Sequence, residues 1–275
     1  ALLKGVSGSG KTAVVINRAI RLASKYTDEE VLILTLNKPL AKMIEDLVDS
    51  ASEELNNLSV MSLWSFCVQQ LAIIEPDASR QYEDETSHSS EDIHEMWHEF
   101  YNHEISVDDT DGMFHVHQSL LRNNIFPSDY ISEEFDFIRS ALPLEKRSDY
   151  LNMVREGRST NWLQEHYRES ILKGLSRWER KMKSAAVIDY LGLTSRLHHF
   201  IDQIKPTYRS ILVDEMQDFG TLELAIVRKF IKEDDNDLFL TGDIAQRVLT
   251  KQHNHLAAGI NIKGRSFEIR QNYRN

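Results

Sequence analysis

Gly5-Val6-Ser7-Gly8-Ser9-Gly10-Lys11-Thr12 has the residue types and spacing of a phosphate-binding loop. It follows a short apolar start, Leu2-Leu3, and opens an amphipathic stretch, which is the strand–loop–helix setting such a loop needs. Glycines let the backbone curl, so that N–H groups and a helix N-terminus face negative charge. On this reading Gly5, Ser7, Gly8, Ser9 and Gly10 cradle phosphates. Lys11 reaches the β- and γ-phosphates from an exposed loop, and the Thr12 hydroxyl ligates Mg²⁺. The bland alternative is a Gly/Ser loop that binds nothing.

A second stretch supplies the acidic half of the same chemistry. Ser210-Ile211-Leu212-Val213 is an apolar, β-prone run that ends in Asp214-Glu215. Acids at the C-terminal end of a buried strand sit where ligands bind in open α/β sheets. Asp214 is expected to hold Mg²⁺, and Glu215 to orient and deprotonate an attacking water. Alone, two acids at a strand end would more often be solvated; beside the loop they read as a site.

Further motifs follow in order along the chain. Asp214-Glu215-Met216-Gln217-Asp218-Phe219 resembles the D-E-x-Q-D motif of superfamily 1 helicases of the Rep/UvrD type. Leu240-Thr241-Gly242-Asp243-Ile244-Ala245-Gln246-Arg247 is similar to their G-D-x-x-Q motif, and Gln271-Asn272-Tyr273-Arg274-Asn275 to their N-Y-R-[ST] motif. Thr35-Leu36-Asn37-Lys38-Pro39-Leu40-Ala41 resembles motif Ia, and Met61-Ser62-Leu63-Trp64-Ser65-Phe66 the T-x-H-S-F segment after it. The resemblance implies ATP and Mg²⁺ as cofactors, with hydrolysis coupled to movement on single-stranded DNA and unwinding at a duplex junction. It implies that Gln217 and Gln246 contact the γ-phosphate or its water, that Arg274 is an arginine finger, and that Tyr273 stacks on the adenine. It implies that Asn37, Lys38, Trp64 and Phe66 touch single-stranded nucleic acid; on physical grounds alone, Trp64 and Phe66 are equally suited to a core.

The chain departs from the family pattern at several places. Ala13 follows the loop where many relatives carry Arg, Trp64 stands where His is usual, and Gly192 replaces the second acid of a D-x-x-D-L segment in Asp189-Tyr190-Leu191-Gly192-Leu193. A glutamine segment before the loop is not seen, and the chain stops at Asn275, so the sequence reads as the N-terminal piece of a longer motor, nearly inactive alone. Two other readings stay open: a nucleotide-gated protein-interaction module, and an ATPase that does not unwind or that acts on RNA.

The positioning elements follow from periodicity. A helix is expected over 11–25, strands over 31–35 and 58–61, helices over 38–48 and 62–74, then strands over 209–213 and 238–241 around a helix over 221–232. Between 75 and 185 no buried-strand pattern occurs, and amphipathic stretches lie at 91–104, 132–140 and 161–183, with a loop at 86–91. The fold expected is α/β: a P-loop NTPase (RecA-like) parallel sheet core with an inserted, mainly helical domain. The expected divisions are 1–74 and 186–266 for the ATPase core, 75–185 for the insertion, and 267–275 for the start of a second RecA-like domain.

Composition bounds the rest. The 275 residues are 41% hydrophobic, enough for a core, with no run of membrane-span length. One cysteine, Cys67, excludes an internal disulfide, suits a reducing, cytoplasmic location, and reads as a buried inert thiol. The net charge of −11 is local: residues 81–121 hold eleven acids and no Lys or Arg. That stretch should avoid phosphates and present a solvent face or a protein contact. Lys173, Arg177, Arg180, Lys181 and Lys183 form a basic cluster that suits either a DNA-facing helix or a solvated one. His94-Glu95-Met96-Trp97-His98 matches the H-E-x-x-H zinc pattern, but no third ligand has a recognisable spacing, and Ile93, Met96, Trp97 and Phe100 make an ordinary apolar stripe.

Overall fold

The structure, a computed structural model, describes residues 1–6, 8–51, 55–78, 90–106, 112–155, 158, 163, 165–243 and 251–269. The chain forms two compact units. One comprises Ala1–Leu71, Leu197–Leu249 and His253–Asn275, and the other Ala72–Arg196 with Thr250–Gln252.

The first unit is built on a six-stranded sheet in which every pairing is parallel. Its strands are β1 (Leu2–Gly5), β2 (Glu30–Thr35), β3 (Leu58–Ser62), β4 (Tyr208–Val213), β5 (Leu238–Gly242) and β6 (Ser266–Ile269), in the order β3-β2-β4-β5-β1-β6. Val31-Leu32-Ile33-Leu34 and Ile211-Leu212-Val213 are buried along their whole length, as apolar runs covered on both faces must be. Helices α1 (Lys11–Lys25), α2 (Lys38–Ala51), α3 (Leu63–Ile74) and α9 (Thr221–Lys229) belong to this α/β layer. Val15, Ala19 and Leu22 of α1 and Ile44 of α2 pack with Val31, Ile33, Leu212 and Phe239.

One consequence of all-parallel pairing decides where function can sit. Every strand ends at the same edge, so the segments after β1, β2, β3, β4 and β5 all leave the sheet on its carboxyl side. Residues 266–269, an exposed and partly polar strand, extend the sheet beside β1.

In the second unit every element described is helical: α4 (Ser90–Ser106), α5 (Phe114–Arg122), α6 (Pro127–Ala141), α7 (Glu165–Ser184) and α8 (Tyr190–His199), with short 3₁₀ turns. Trp97 anchors the core, with edge-to-face contacts to Phe135 (5.6 Å between centroids) and Trp178 (5.3 Å). Glu91, expected in a loop, lies in the first turn of α4; positions 86–89 of that expected loop lie outside the described residues. No helix among the described residues is long and apolar enough to cross a membrane.

Candidate active site

The phosphate loop leaves β1 and feeds α1. Gly8 and Gly10 take φ of +79° and +83°, conformations that glycine adopts without steric cost. Gly10 is the N-cap of α1 and makes no side-chain cap bond, and the first turn carries no acid. Among the described residues nothing caps that turn with a side chain, so its N–H groups can face an anion. Ser9 Oγ is buried without a hydrogen-bond partner among the described residues, a second orphaned polar group in the loop. A Cβ at Gly5 would fall 2.5 Å from that oxygen, so a side chain there would force Ser9 Oγ to turn away.

Lys11 corrects the expectation of an exposed loop lysine. It is the first residue of α1 and is 5% exposed, with Nζ donating to Gly5 O (2.8 Å) and Val6 O (3.2 Å). The ammonium is thus fixed at the mouth of the loop by two backbone carbonyls, of which Val6 O also accepts from the Ser9 N–H (3.2 Å).

The acidic half lies within hydrogen-bond reach. Asp214, fully buried after β4, accepts from Thr12 Oγ1 (2.7 Å), from Thr241 Oγ1 (2.6 Å) and from the Glu215 N–H (3.1 Å). One carboxylate thereby ties together α1, β4 and β5. Glu215 has φ +54° and ψ 47°, a left-handed conformation that costs a non-glycine residue roughly 1–2 kcal/mol. That turn aims its carboxylate at Gln217, whose Nε2 donates to Glu215 Oε2 (2.7 Å) while its Oε1 accepts from the Asp243 N–H (3.0 Å). Gln217 thus bridges the Asp214-Glu215 segment to the Gly242-Asp243 segment.

Two residues in this cluster were not assigned roles from sequence. Thr241 donates to Asp214, and the signal for it was a lone hydroxyl at the end of an otherwise apolar buried strand. Gly242 leaves no room for a side chain: a Cβ there would meet Gln217 Oε1 at 2.5 Å and Met216 Cγ at 2.9 Å.

The residues expected to touch nucleic acid divide. Asn37 and Lys38 are exposed after β2, and Asn37 Oδ1 accepts from the Leu40 N–H (2.9 Å), capping α2. Trp64 is half-buried after β3. Phe66 is fully buried, its ring edge-on to Phe230 (4.8 Å) and tilted against Tyr208 (6.2 Å). No face of Phe66 is left for a base; of the two readings its sequence context allowed, the structure places it in the core. Cys67 beside it is buried, and burial pushes its thiol pKa up, away from the reactive thiolate. Ser7, Gln246, Tyr273 and Arg274 lie outside the described residues.

Residues 1–250 match the family described as the UvrD/REP helicase N-terminal domain. The chain belongs to that family. No match was found among curated proteins. Membership makes the chain a helicase-type, ATP-binding domain, and the parallel sheet with its loop after β1 is the RecA-like P-loop core expected of it.

Within this UvrD/REP domain the helical unit explains two sequence puzzles. Asp189 pairs with the buried Arg139 and accepts from the Gly192 N–H (2.8 Å), capping α8. A Cβ at position 192 would lie 3.0 Å from Asp189 Oδ1 and 3.4 Å from Arg139 Nη2. A side chain there would press on the pair by a few tenths of an ångström, and glycine leaves it undisturbed. The basic cluster on α7 is partly engaged internally: Arg177 pairs with Glu104 (2.6 Å) and Lys181 with Glu99 (2.5 Å). The acidic stretch therefore meets α7 through α4.

Proposed function

We propose that the Lys11–Thr12–Asp214–Glu215 cluster binds Mg²⁺–ATP and hydrolyses it, and that the protein couples this to translocation on single-stranded DNA and unwinding at a duplex junction. The observation that carries the reading is the bond from Thr12 Oγ1 to Asp214 Oδ2, which joins the phosphate loop to the acidic strand end in one hydrogen-bonded unit.

The donor set fits the cofactors. Thr12 and Asp214 offer the hard oxygens that Mg²⁺ prefers, and the uncapped α1 N-terminus with its glycine turn fits phosphate oxygens. When bound, Mg²⁺ neutralises charge on the phosphates. Lys11 places a positive charge at the loop mouth. Glu215 is the base that takes the proton of the attacking water, and Gln217 holds that carboxylate in place. Thr241 keeps Asp214 oriented toward Thr12. Gln246 senses the γ-phosphate, Arg274 supplies the arginine finger and Tyr273 stacks on adenine, roles that rest on the resemblance of their motifs. Asn37, Lys38 and Trp64 leave the same sheet edge as the phosphate loop, which supports a nucleic-acid track there. The single buried cysteine suits work in the cytoplasm.

Hydrolysis and strand displacement, measured with single-stranded DNA, RNA and no nucleic acid, test the reading. Stimulation by DNA with displacement of a paired strand is expected. Stimulation by RNA alone would favour the RNA-directed ATPase. No response to either, with tight nucleotide-dependent binding of a protein partner, would favour the interaction module.

A further inference from the structure

His94 and His98 lie one turn apart on the exposed face of α4, with their Nε2 atoms 2.9 Å from each other and their rings crossed at 86°. The other face of α4 is held by buried Trp97, Phe100 and Tyr101, so the helix that carries the pair is anchored. Glu91 precedes His94 by three positions and Asn102 follows His98 by four, so one exposed stripe reads Glu-His-His-Asn. No Lys or Arg occurs from 81 to 121, and Arg177 and Lys181 of α7 are paired with Glu104 and Glu99. The local field therefore favours a cation.

We propose that His94 and His98 form a two-imidazole chelate for a divalent transition-metal ion of the Cu²⁺ or Ni²⁺ kind. The donor type carries the choice of metal, because the affinity of imidazole nitrogens rises along the first-row divalent ions through Ni²⁺ to Cu²⁺. Two metal–nitrogen bonds of about 2.1 Å at a right angle set their nitrogens about 3.0 Å apart, whereas a tetrahedral angle sets them about 3.4 Å apart. The observed 2.9 Å is the length of the hydrogen bond between the rings, and it brings both nitrogens within reach of one ion, with a small opening of the pair satisfying either angle. Binding replaces the hydrogen bond between the two Nε2 atoms: the ring that donates it gives its Nε2 proton to water, and its Nδ1 takes up or retains a proton, so that both Nε2 lone pairs face the ion. Among the described residues no group of three His, Cys, Asp or Glu can hold a metal, so Glu91 adds charge and water completes the coordination. This is a binding site, distinct in chemistry from the peptidase that the H-E-x-x-H pattern suggests.

The test titrates the whole chain with Cu²⁺ followed by electron paramagnetic resonance, and with Ni²⁺ and Zn²⁺ followed by calorimetry. His94→Ala, His98→Ala and, as a control on the same helix, His103→Ala are compared. All three positions are exposed, and Ala is a good helix former, so the fold survives. One Cu²⁺ with two equatorial imidazole nitrogens is expected, with affinity falling about tenfold or more in either site variant because the second ligand adds intramolecularly. The melting temperature should rise with Cu²⁺ in the wild type and the control only. Ni²⁺ should bind at least as tightly as Zn²⁺. Equal Cu²⁺ affinity and nitrogen count in the site variants, an adventitious ion only, would overturn the proposal, and a preference for Zn²⁺ over Ni²⁺ would overturn the choice of metal.

Discussion

Single atoms at the ends of β4 and β5 govern the cluster. A methyl group at Gly242 would overlap Gln217 Oε1 and Met216 Cγ, both held in a buried turn. Gly242→Ala is therefore expected to destabilise the first unit by about 1–3 kcal/mol, as overpacking does, and to push Gln217 away from Glu215. Urea melts and nucleotide titrations measure the two effects; a variant as stable as the wild type with intact turnover would show that the crowding relaxes freely. Thr241→Val keeps the shape of the strand end and removes one of three donors to Asp214. The cost is about 1.5–3 kcal/mol, the worth of one hydrogen bond to a charged group, with the Glu215 N–H still donating to the same oxygen. Its nucleotide affinity should also weaken more in Mg²⁺ than in EDTA, and an equal loss in both would remove Thr241 from the metal-orienting role.

At the level of elements, the helical unit depends on charges that are buried and paired. Arg139, with its side chain 1% exposed, binds Asp189 of the α8 cap and lies 3.5 Å from Glu179 of α7. Glu134 is fully buried between Arg155 (2.6 Å) and Arg158 (2.8 Å) and accepts from Tyr150 (2.6 Å). Burial alone would raise both carboxyl pKa values, but the arginines outweigh it and hold Asp189 and Glu134 below their ordinary values. Groups depressed in the folded state contribute stability that is complete above the unfolded carboxylate range. It is lost as pH falls through the folded values. The unit should therefore unfold in acid, below the ordinary range of about 4, as followed by tryptophan fluorescence. In Arg139→Met the transition should move to higher pH, with a loss of about 3–5 kcal/mol at neutral pH from uncompensated buried charge. An unmoved acid transition would mean that Arg139 does not set the Asp189 pKa.

For the molecule as a whole, the sequence is readable where a local pattern carries the physics. Val31-Leu32-Ile33-Leu34 reads as a covered strand and is one, and glycine spacing with Lys11-Thr12 reads as a tight turn into a helix and is one. What it hides is set by contacts distant in the chain. Thr241 meets Asp214 across 27 positions, and Phe66 meets Phe230 across the returning half of the sheet. β6 carries no apolar run: Ser266–Ile269 is largely exposed, and among the described residues it pairs with β1 alone. Lys11 looked like a surface lysine because nothing local announces that Gly5 and Val6 turn their carbonyls toward it.

The central claim is that Lys11, Thr12, Asp214 and Glu215 act as one nucleotide site, and paired measurements on two variants test it most directly. Equilibrium binding of Mg²⁺–ATP and single-turnover hydrolysis are compared for the wild type, Lys11→Ala and Glu215→Gln, with circular dichroism confirming the fold. Glu215→Gln keeps its hydrogen-bonding shape beside Gln217, so binding should persist while hydrolysis falls about 10²–10⁴-fold. Lys11→Ala should lose binding and hydrolysis together, because its ammonium leaves the loop mouth. Near-native binding and turnover in Lys11→Ala, or loss of binding in Glu215→Gln, would contradict the account.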